Sequence, residues 1–200
     1  VLSGVYVDAS AAFSTDLGGK YHPYSTITPA ITRVVNGGKI LVAAGAYEEQ
    51  LTVDNKSVIF EGASVNSTFI NSPVTLATTF TTSSPKKCLV GVINNGSLVI
   101  KNLTFDGLGR GNTNYQFVGV GFRNSGGTVQ NCKVLNIKDT PFSGAQHGVA
   151  IYSYNDDATA RTINILNNEI SENKKNAMAL NASDTNPLTV NVDGNTVTGY

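Results

Sequence analysis

The feature that most restricts how this chain folds is a pattern repeated along it: a short apolar strand, one Asn or Gly, then another short apolar strand. It appears as SLVIKNLTFDG (97–107), TVQNCKVLNI (128–137), TINILNNEIS (162–171) and LTVNVDGNTVT (188–198). Aligned on Asn102, Asn131, Asn167 and Gly194, the segments carry Ile100, Val129, Ile165 and Val192 two places before and Phe105, Val134, Ile170 and Val197 three places after. Asn and Gly suit a tight bend because they tolerate left-handed backbone angles. The steps are uneven and roughly thirty residues long, a period that marks stacked architectures. A helical repeat would need long amphipathic segments, and none fills these steps. Each period instead holds three short strands. FVGVGFRN, GTVQ and CKVLNI form one set; GVAIYSYN, TINIL and EISEN the next; AMALNAS, LTVNV and TVTGY the last. Three strands per turn with alternating inward apolar residues predict an all-β, single-stranded parallel β-helix, a solenoid rising ~4.8 Å per coil. Stacked Asn side chains at the bend are expected to hydrogen-bond along the stack.

The chain reads as one domain, 1–200, with a helical cap region at 24–38 and rungs over 39–200. Ile27, Ala30, Ile31 and Val34 form an i, i+3, i+4, i+7 stripe. Thr28 is placed to cap that helix, Pro29 suits its first position, and Gly37 or Gly38 can end it. Its expected job is to cover the open edge of the first rung. TVTGY closes the sequence on a strand without a polar cover. A solenoid end of that kind is expected to continue in a longer protein or to be covered by self-association through this rung. The insertions 106–115, 138–147 and 156–161 are polar and rich in turn formers. GLGRG lacks the spacing and the following helix of a nucleotide loop. TTFTTSSP (78–85) is a Thr/Ser-rich insertion whose pattern does not recur on later rungs.

Bulk properties narrow the function. Charged residues are 14% of the chain and the formal net charge is +0. No basic surplus argues for nucleic acid, and no apolar run reaches the ~18 residues of a membrane span. Val1 is not a start methionine, so a mature or trimmed product is expected. Cys88 and Cys132 are too few for a disulfide framework. The alignment turns Cys132 inward and Cys88 outward, as two unpaired thiols.

VYVDAS, followed by PYSTITPAITRVVNGGKILVAAGAYEEQLTVDNKSVIFEGAS, resembles the opening of the pectin-lyase-like superfamily. The similar elements are the helix with its Gly-Gly end, the strand KILVAAG, the Gly45, Tyr47, Glu49 element and the strand KSVIFEG. The resemblance covers roughly residues 4–65, and later repeats match only as generic rungs. It implies a right-handed coil and a secreted or cell-surface, extracellular protein. It does not imply one reaction, since this fold carries lyases, esterases, hydrolases and adhesins. Tyr47 and Glu49 read as structural residues of the first turn. Pectin methylesterases carry paired aspartates on the first-sheet face. Here the corresponding strands offer Arg123, then Tyr152 and Tyr154, and no outward carboxylate. Polysaccharide lyases need a strong base and often Ca²⁺ held by several carboxylates. Arg123, Arg161, Lys174, Lys175, Asp156 and Asp157 are the pieces available, with Lys174 and Lys175 reading as an exposed turn. No cofactor is expected unless Asp156 and Asp157 hold Ca²⁺; otherwise they make a solvated turn.

The outward face of the first sheet remains the place for a site. With Val149 and Ile151 pointing in, Ala150, Tyr152 and Tyr154 point out. The same register turns Phe117, Arg123 and Asn181 out and sets His147 and Tyr115 at the rim. Aromatics, Arg and Asn along a groove suit sugar stacking. The sequence therefore predicts a β-helix module acting as an adhesin, fibre or carbohydrate-contacting scaffold. Its partner would be a polysaccharide or other surface glycan, and this stretch would not be catalytic. The alternative is a carbohydrate-active enzyme, a pectate-like polysaccharide lyase.

Overall fold

The computed structural model describes residues 2–12, 17–144, 148–183 and 185–199. Three sheets run the length of the stack. Sheet I contains Leu51–Asp54, Pro85–Ile93, Phe117–Arg123, Val149–Asn155 and Asn176–Ala182. Sheet II contains Leu2–Val7, Val34–Val42, Ser57–Gly62, Ser97–Lys101, Gly126–Gln130, Arg161–Leu166 and Leu188–Asp193. Sheet III contains Gly45–Glu48, Thr68–Asn71, Thr104–Asp106, Lys133–Leu135, Glu169–Ser171 and Thr196–Thr198. From Val34 onward the chain visits sheets II, III and I in strict rotation, the path of a parallel β-helix. All pairings along the stack are parallel. The short strand Phe80–Thr81 departs from this by pairing antiparallel with Pro85–Ile93.

The apolar positions read from the repeat form two inward columns. In sheet II, Ile40, Phe60, Ile100, Val129 and Ile165 stack in register and are fully buried. In sheet III, Tyr47, Ile70, Phe105, Val134 and Ile170 do the same. Each such side chain contributes about 1.5–3 kcal/mol by leaving water. Between these sheets lie the aligned bends. Asn102, Asn131, Asn167 and Gly194 have φ of +57°, +51°, +53° and +63°. Their amides stack too, Asn131 donating to Leu166 O and Asn167 to Asp193 O. The side-chain ladder falls one residue later than expected. Asn168 Oδ1 accepts from Cys132 N at 2.9 Å, and Asn195 Oδ1 accepts from Asn168 N at 2.9 Å. Their amide groups donate to Val129 O and Ile165 O. The other two bends use the same conformation at Asn55, Asn94 and Asn124, and at Asn136 and Glu172.

The cap helix is shorter than its pattern suggests, Ile27–Arg33, and Val34 already belongs to a strand. Ile27, Ala30 and Ile31 enter the core. The residue at its N-terminus is Thr26, which makes no side-chain cap bond. Glu49 supplies the cap from the next coil: its carboxylate accepts from Ile27 N at 2.6 Å and from Thr28 N at 2.9 Å. Gly37 and Gly38 lie inside the strand Val34–Val42 rather than ending the helix. Gly38 is needed there because a Cβ would come within 2.6 Å of Val34 and 2.9 Å of Ser3 O. Tyr47 ties the first turn together by accepting from Ala9 N and donating to Ala43 O.

Sheet I departs from simple alternation. Cys88, Val118, Val149 and Asn176 pair in register, as do Val90, Val120, Ile151 and Met178. The residues between them, Leu89, Gly119, Ala150 and Ala177, form an extra column; Leu89 and Ala150 are buried beside their successors Val90 and Ile151. Two consecutive inward residues break the period of two in the coils from Leu89 onward, whereas Gln50, before Leu51, bonds the segment outside. Phe117 and Ala150, expected outside, are therefore core residues, and Val149, expected inside, faces outward at a cleft. Beyond the kink the alternation resumes, and Tyr152 and Tyr154 point out as expected.

Candidate functional site

The outward face of sheet I is not bare. Residues 72–85 fold across its early strands. Leu76 enters the main core, and Asn114 fixes the backbone around it, accepting from Leu76 N at 2.8 Å and donating to Val74 O. Gln50 clamps the next residues. Its amide donates to Ala77 O at 2.9 Å and Cys88 O at 2.9 Å and accepts from Ala77 N at 2.9 Å. Two glycines make room for the crossing. A Cβ at Gly91 would come within 2.2 Å of Thr79 Cγ2, and one at Gly121 within 2.4 Å of Cys88 Sγ and 3.2 Å of the Phe80 ring. Phe80, Cys88 and Val118 form a small second core outside the coil. Cys88 thus points away from the interior, as expected, yet is buried. Burial pushes its thiol up to about 12 and that of Cys132 to about 11.

Tyr152 stands where this cover ends. Gly91, Gly121, Tyr152 and Ala179 occupy one outward column. The Phe80 and Tyr152 ring centres are 6.0 Å apart, and Thr82 Oγ1 lies 3.4 Å from the Tyr152 hydroxyl. Burial raises the Tyr152 phenol, against the weaker pull of Thr82. The next outward column is Ile93, Arg123, Tyr154 and Asn181. The Arg123 guanidinium lies 5.3 Å from the Tyr154 ring centre and holds Asp156 at 2.7 Å. Its Nη1 is buried and has no hydrogen-bond partner among the described residues. On the other side of Tyr152 opens a cleft of about 110 Å³ lined by Lys86, Gln116, Val149, Tyr152, Lys175 and Ala179.

Of the residues picked from the sequence, Arg123, Tyr152, Tyr154 and Asn181 share this face. Tyr115 is 59% exposed on the turn before Phe117–Arg123. His147 lies outside the described residues. Asp156 and Asp157 are both engaged by arginine, the latter by Arg161 at 2.9 Å. Burial pushes the Asp157 carboxyl up, but Thr159 and Arg161 outweigh it and hold it low. Among the described residues no group of three or more His, Cys, Asp or Glu could hold a metal ion. Lys174 is not an exposed turn residue: it is buried against Asp139 at 2.6 Å. The sequence reading missed Phe80, Thr82, Lys86 and Gln116. The pair Gly91 and Gly121, outward and side-chain-free in neighbouring strands, was the available signal that something must cover them.

A larger cleft, about 410 Å³, opens over sheet II near the N-terminal strand and includes Tyr6, Asp8, Lys20 and Glu61. Its carboxylates are occupied, Glu61 by Lys39 at 2.8 Å and Asp8 by Ser10. Sheet I is the better site: it has an aromatic pair and, among the described residues, a guanidinium nitrogen without a partner and a lysine without a counter-charge. Among the described residues it has no pair of outward carboxylates for acid–base hydrolysis. Its chemistry is that of stacking, hydrogen bonding and charge.

No family model matches the chain, and no curated relative matches it by sequence. Solved structures do match its shape. A lacto-N-biosidase from Eubacterium ramulus aligns over 97% of the chain with a TM-score of 0.61 at 11% identity. A pectin methylesterase in complex with a hexasaccharide aligns over 84% with a TM-score of 0.52 at 19% identity. A protein of Geobacillus virus E2 aligns over 98% with a TM-score of 0.50 at 15% identity. The chain spans 55% of that methylesterase, 41% of the biosidase and 40% of the viral protein. The fold is the right-handed, pectin-lyase-like parallel β-helix, as the sequence resemblance implied.

Proposed function

We propose that this chain is a carbohydrate-contacting module of an extracellular or cell-surface protein, binding a glycan along sheet I without cleaving it. The observation that carries this reading is the face formed by Tyr152, Tyr154, Arg123 and Asn181, walled on one side by residues 72–85. Two half-exposed phenol rings offer stacking surface, and Arg123 and Asn181 offer donors at their edge. The Arg123–Asp156 bridge, and the lack of an outward carboxylate pair among the described residues, argue against hydrolysis at this place. An extracellular setting follows from the family resemblance of residues 4–65.

The test is a glycan array followed by titration calorimetry on the best ligand. Tyr152→Ala and Tyr154→Ala should each weaken binding by about tenfold, the ~1.4 kcal/mol worth of one stacked ring. Binding that ignores both substitutions would refute the site. A second reading, a polysaccharide lyase, is favoured by the unpartnered Nη1 of Arg123. It predicts unsaturated products from a uronate polymer, read by absorbance with and without Ca²⁺, and their loss in Arg123→Ala.

A further inference from the structure

Two lysines of this protein have buried ammonium groups, and they are treated differently. Lys174 faces the carboxylate of Asp139. Lys86, 6% exposed, donates to Gln116 Oε1 at 2.6 Å and Ser84 Oγ at 2.7 Å and lies 5.5 Å from the Tyr152 ring centre. All three are neutral, and among the described residues no carboxylate forms an ion pair with it. Across the same cleft stands a second cation, Lys175. Burial, then the charge of Lys175, pull the Lys86 ammonium below its ordinary value.

A buried charge without a counter-charge is costly, and a like charge beside it adds to the cost. An opposite charge supplied from outside the chain would lower that cost. The cleft has room for it: about 110 Å³ is several times the ~30 Å³ share of one water molecule. Its lining fixes the shape of the visitor. Lys86, Lys175, Gln116 and Asn176 give the lining its polar groups, and Val118, Val149, Ala179 and the Tyr152 ring give it apolar ones.

We propose that Lys86 and Lys175 form an oxyanion subsite, taking the carboxylate or sulfate of an acidic sugar whose ring lies against Tyr152. In naming a sugar as the carrier, the inference rests on the glycan-binding reading above. The anion itself does not: any oxyanion of this size answers the unbalanced charge.

The experiment titrates the full chain with three oligosaccharides of equal length: a uronate oligomer, its neutral methyl ester and a sulfated neutral oligomer. Inorganic sulfate at constant ionic strength serves as the bare anion, read by thermal shift. Lys86→Met, which keeps the apolar stem, and Lys175→Gln are compared with the parent. An acidic oligomer should bind at least about tenfold more tightly than the methyl ester, and Lys86→Met should erase that preference while leaving affinity for the ester unchanged. Whichever acidic arm is preferred names the oxyanion. Without ligand, Lys86→Met should melt no lower than the parent, since it removes an unmatched charge. Equal binding of all oligomers, or a preference that survives Lys86→Met, overturns the subsite and leaves the glycan reading standing. A sulfate shift lost in Lys86→Met, with no oligosaccharide bound, keeps the subsite and overturns the glycan reading. No response to any of the four overturns both.

Discussion

Replacing Lys174 by Met tests how the bends between sheets III and I are held. The Lys174 ammonium donates to Asp139 Oδ2 at 2.6 Å and to Ser143 Oγ at 3.1 Å, and lies 4.7 Å from the Phe142 ring centre. Asp139 Oδ2 also accepts from Ser143 N at 2.8 Å, while its Oδ1 has no partner among the described residues. The two side chains are 0% and 2% exposed. Lys174→Met therefore strands a carboxylate in the interior, which costs about 3–5 kcal/mol. For a chain of this size each kcal/mol moves the melting point by about 2–4 °C, so a fall of about 6–20 °C is expected. Asp139→Leu together with Lys174→Met should recover most of that loss, because a buried pair exchanged for apolar groups is often neutral. The pH dependence carries the sign. Burial pushes the Asp139 carboxyl up, but Lys174 and Ser143 outweigh it and hold it well below the usual carboxylate range. Its folded value is thus depressed. The stability it contributes is present above the unfolded carboxyl pKa of ~3.9 and is lost as pH falls through the folded value. In Lys174→Met burial is opposed only by the hydrogen bonds of Ser143 and the backbone, and protonation relieves the uncompensated part. The gap between parent and variant, read by urea denaturation at neutral pH and near about pH 4, should narrow with acid. A loss under about 1 kcal/mol, or a gap that widens with acid, would refute the reasoning.

Both thiols, pushed up by burial to about 12 at Cys88 and about 11 at Cys132, should resist iodoacetamide in the folded protein and label only in denaturant. Native labelling of Cys88, followed by mass spectrometry, would mean that Phe80 does not cover it. Gly121→Val would place methyl groups where Cys88 Sγ and the Phe80 ring now sit, so residues 72–85 should lift and become the first site of limited proteolysis. An unchanged cleavage pattern would show that this cover is not seated on Gly121. Asn131→Ala forces Ala into φ of +51° and should cost about 1–2 kcal/mol in chemical denaturation, whereas Asn131→Gly should cost less. Equal losses in the two would show that the backbone angle is not what selects Asn there.

The coil was legible because its bends are local. A positive φ selects Asn or Gly by sterics alone, so Asn102, Asn131, Asn167 and Gly194 announce a stacked corner without any knowledge of what packs on it. The other corners use the same chemistry at Asn55, Asn94, Asn124 and Asn136. In sheets II and III the alternation predicts the buried columns correctly as far as Ile165 and Ile170, whereas Val192 and Val197 on the last coil are 50% and 53% exposed. In sheet I it fails at Phe117 and Ala150, where the kink turns two consecutive residues inward, and holds again at Tyr152, Tyr154 and Asn181. Alternation cannot report a kink that adds an extra inward position at the same place in the coils from Leu89 onward. Lys174 escaped for another reason. Its partner Asp139 is distant in sequence, and a charged pair beside a loop looks solvated until the coil brings the two together.

The location of the candidate face follows from what lies on the coils before it. A solenoid repeats its outward columns, so a binding site requires one coil to differ from its neighbours. Here the difference is made by absence of side chains. Gly91 and Gly121 leave a trough in sheet I, Thr79 and Phe80 fill it, and Gln50 and Asn114 hold that filling by backbone bonds. The column that is glycine on two strands becomes tyrosine on the third. Tyr152 is consequently both the end of the cover and the start of the open face, packed on Phe80 on one side and bordering the Lys86 cleft on the other. A ligand on this surface meets a wall at residues 72–85 and can extend only away from it, across Tyr152 toward Ala179 or across Tyr154 toward Asn181. Side chains at both glycines would remove the trough, unseat Phe80 and take away the wall that makes this part of sheet I a groove rather than a flat flank.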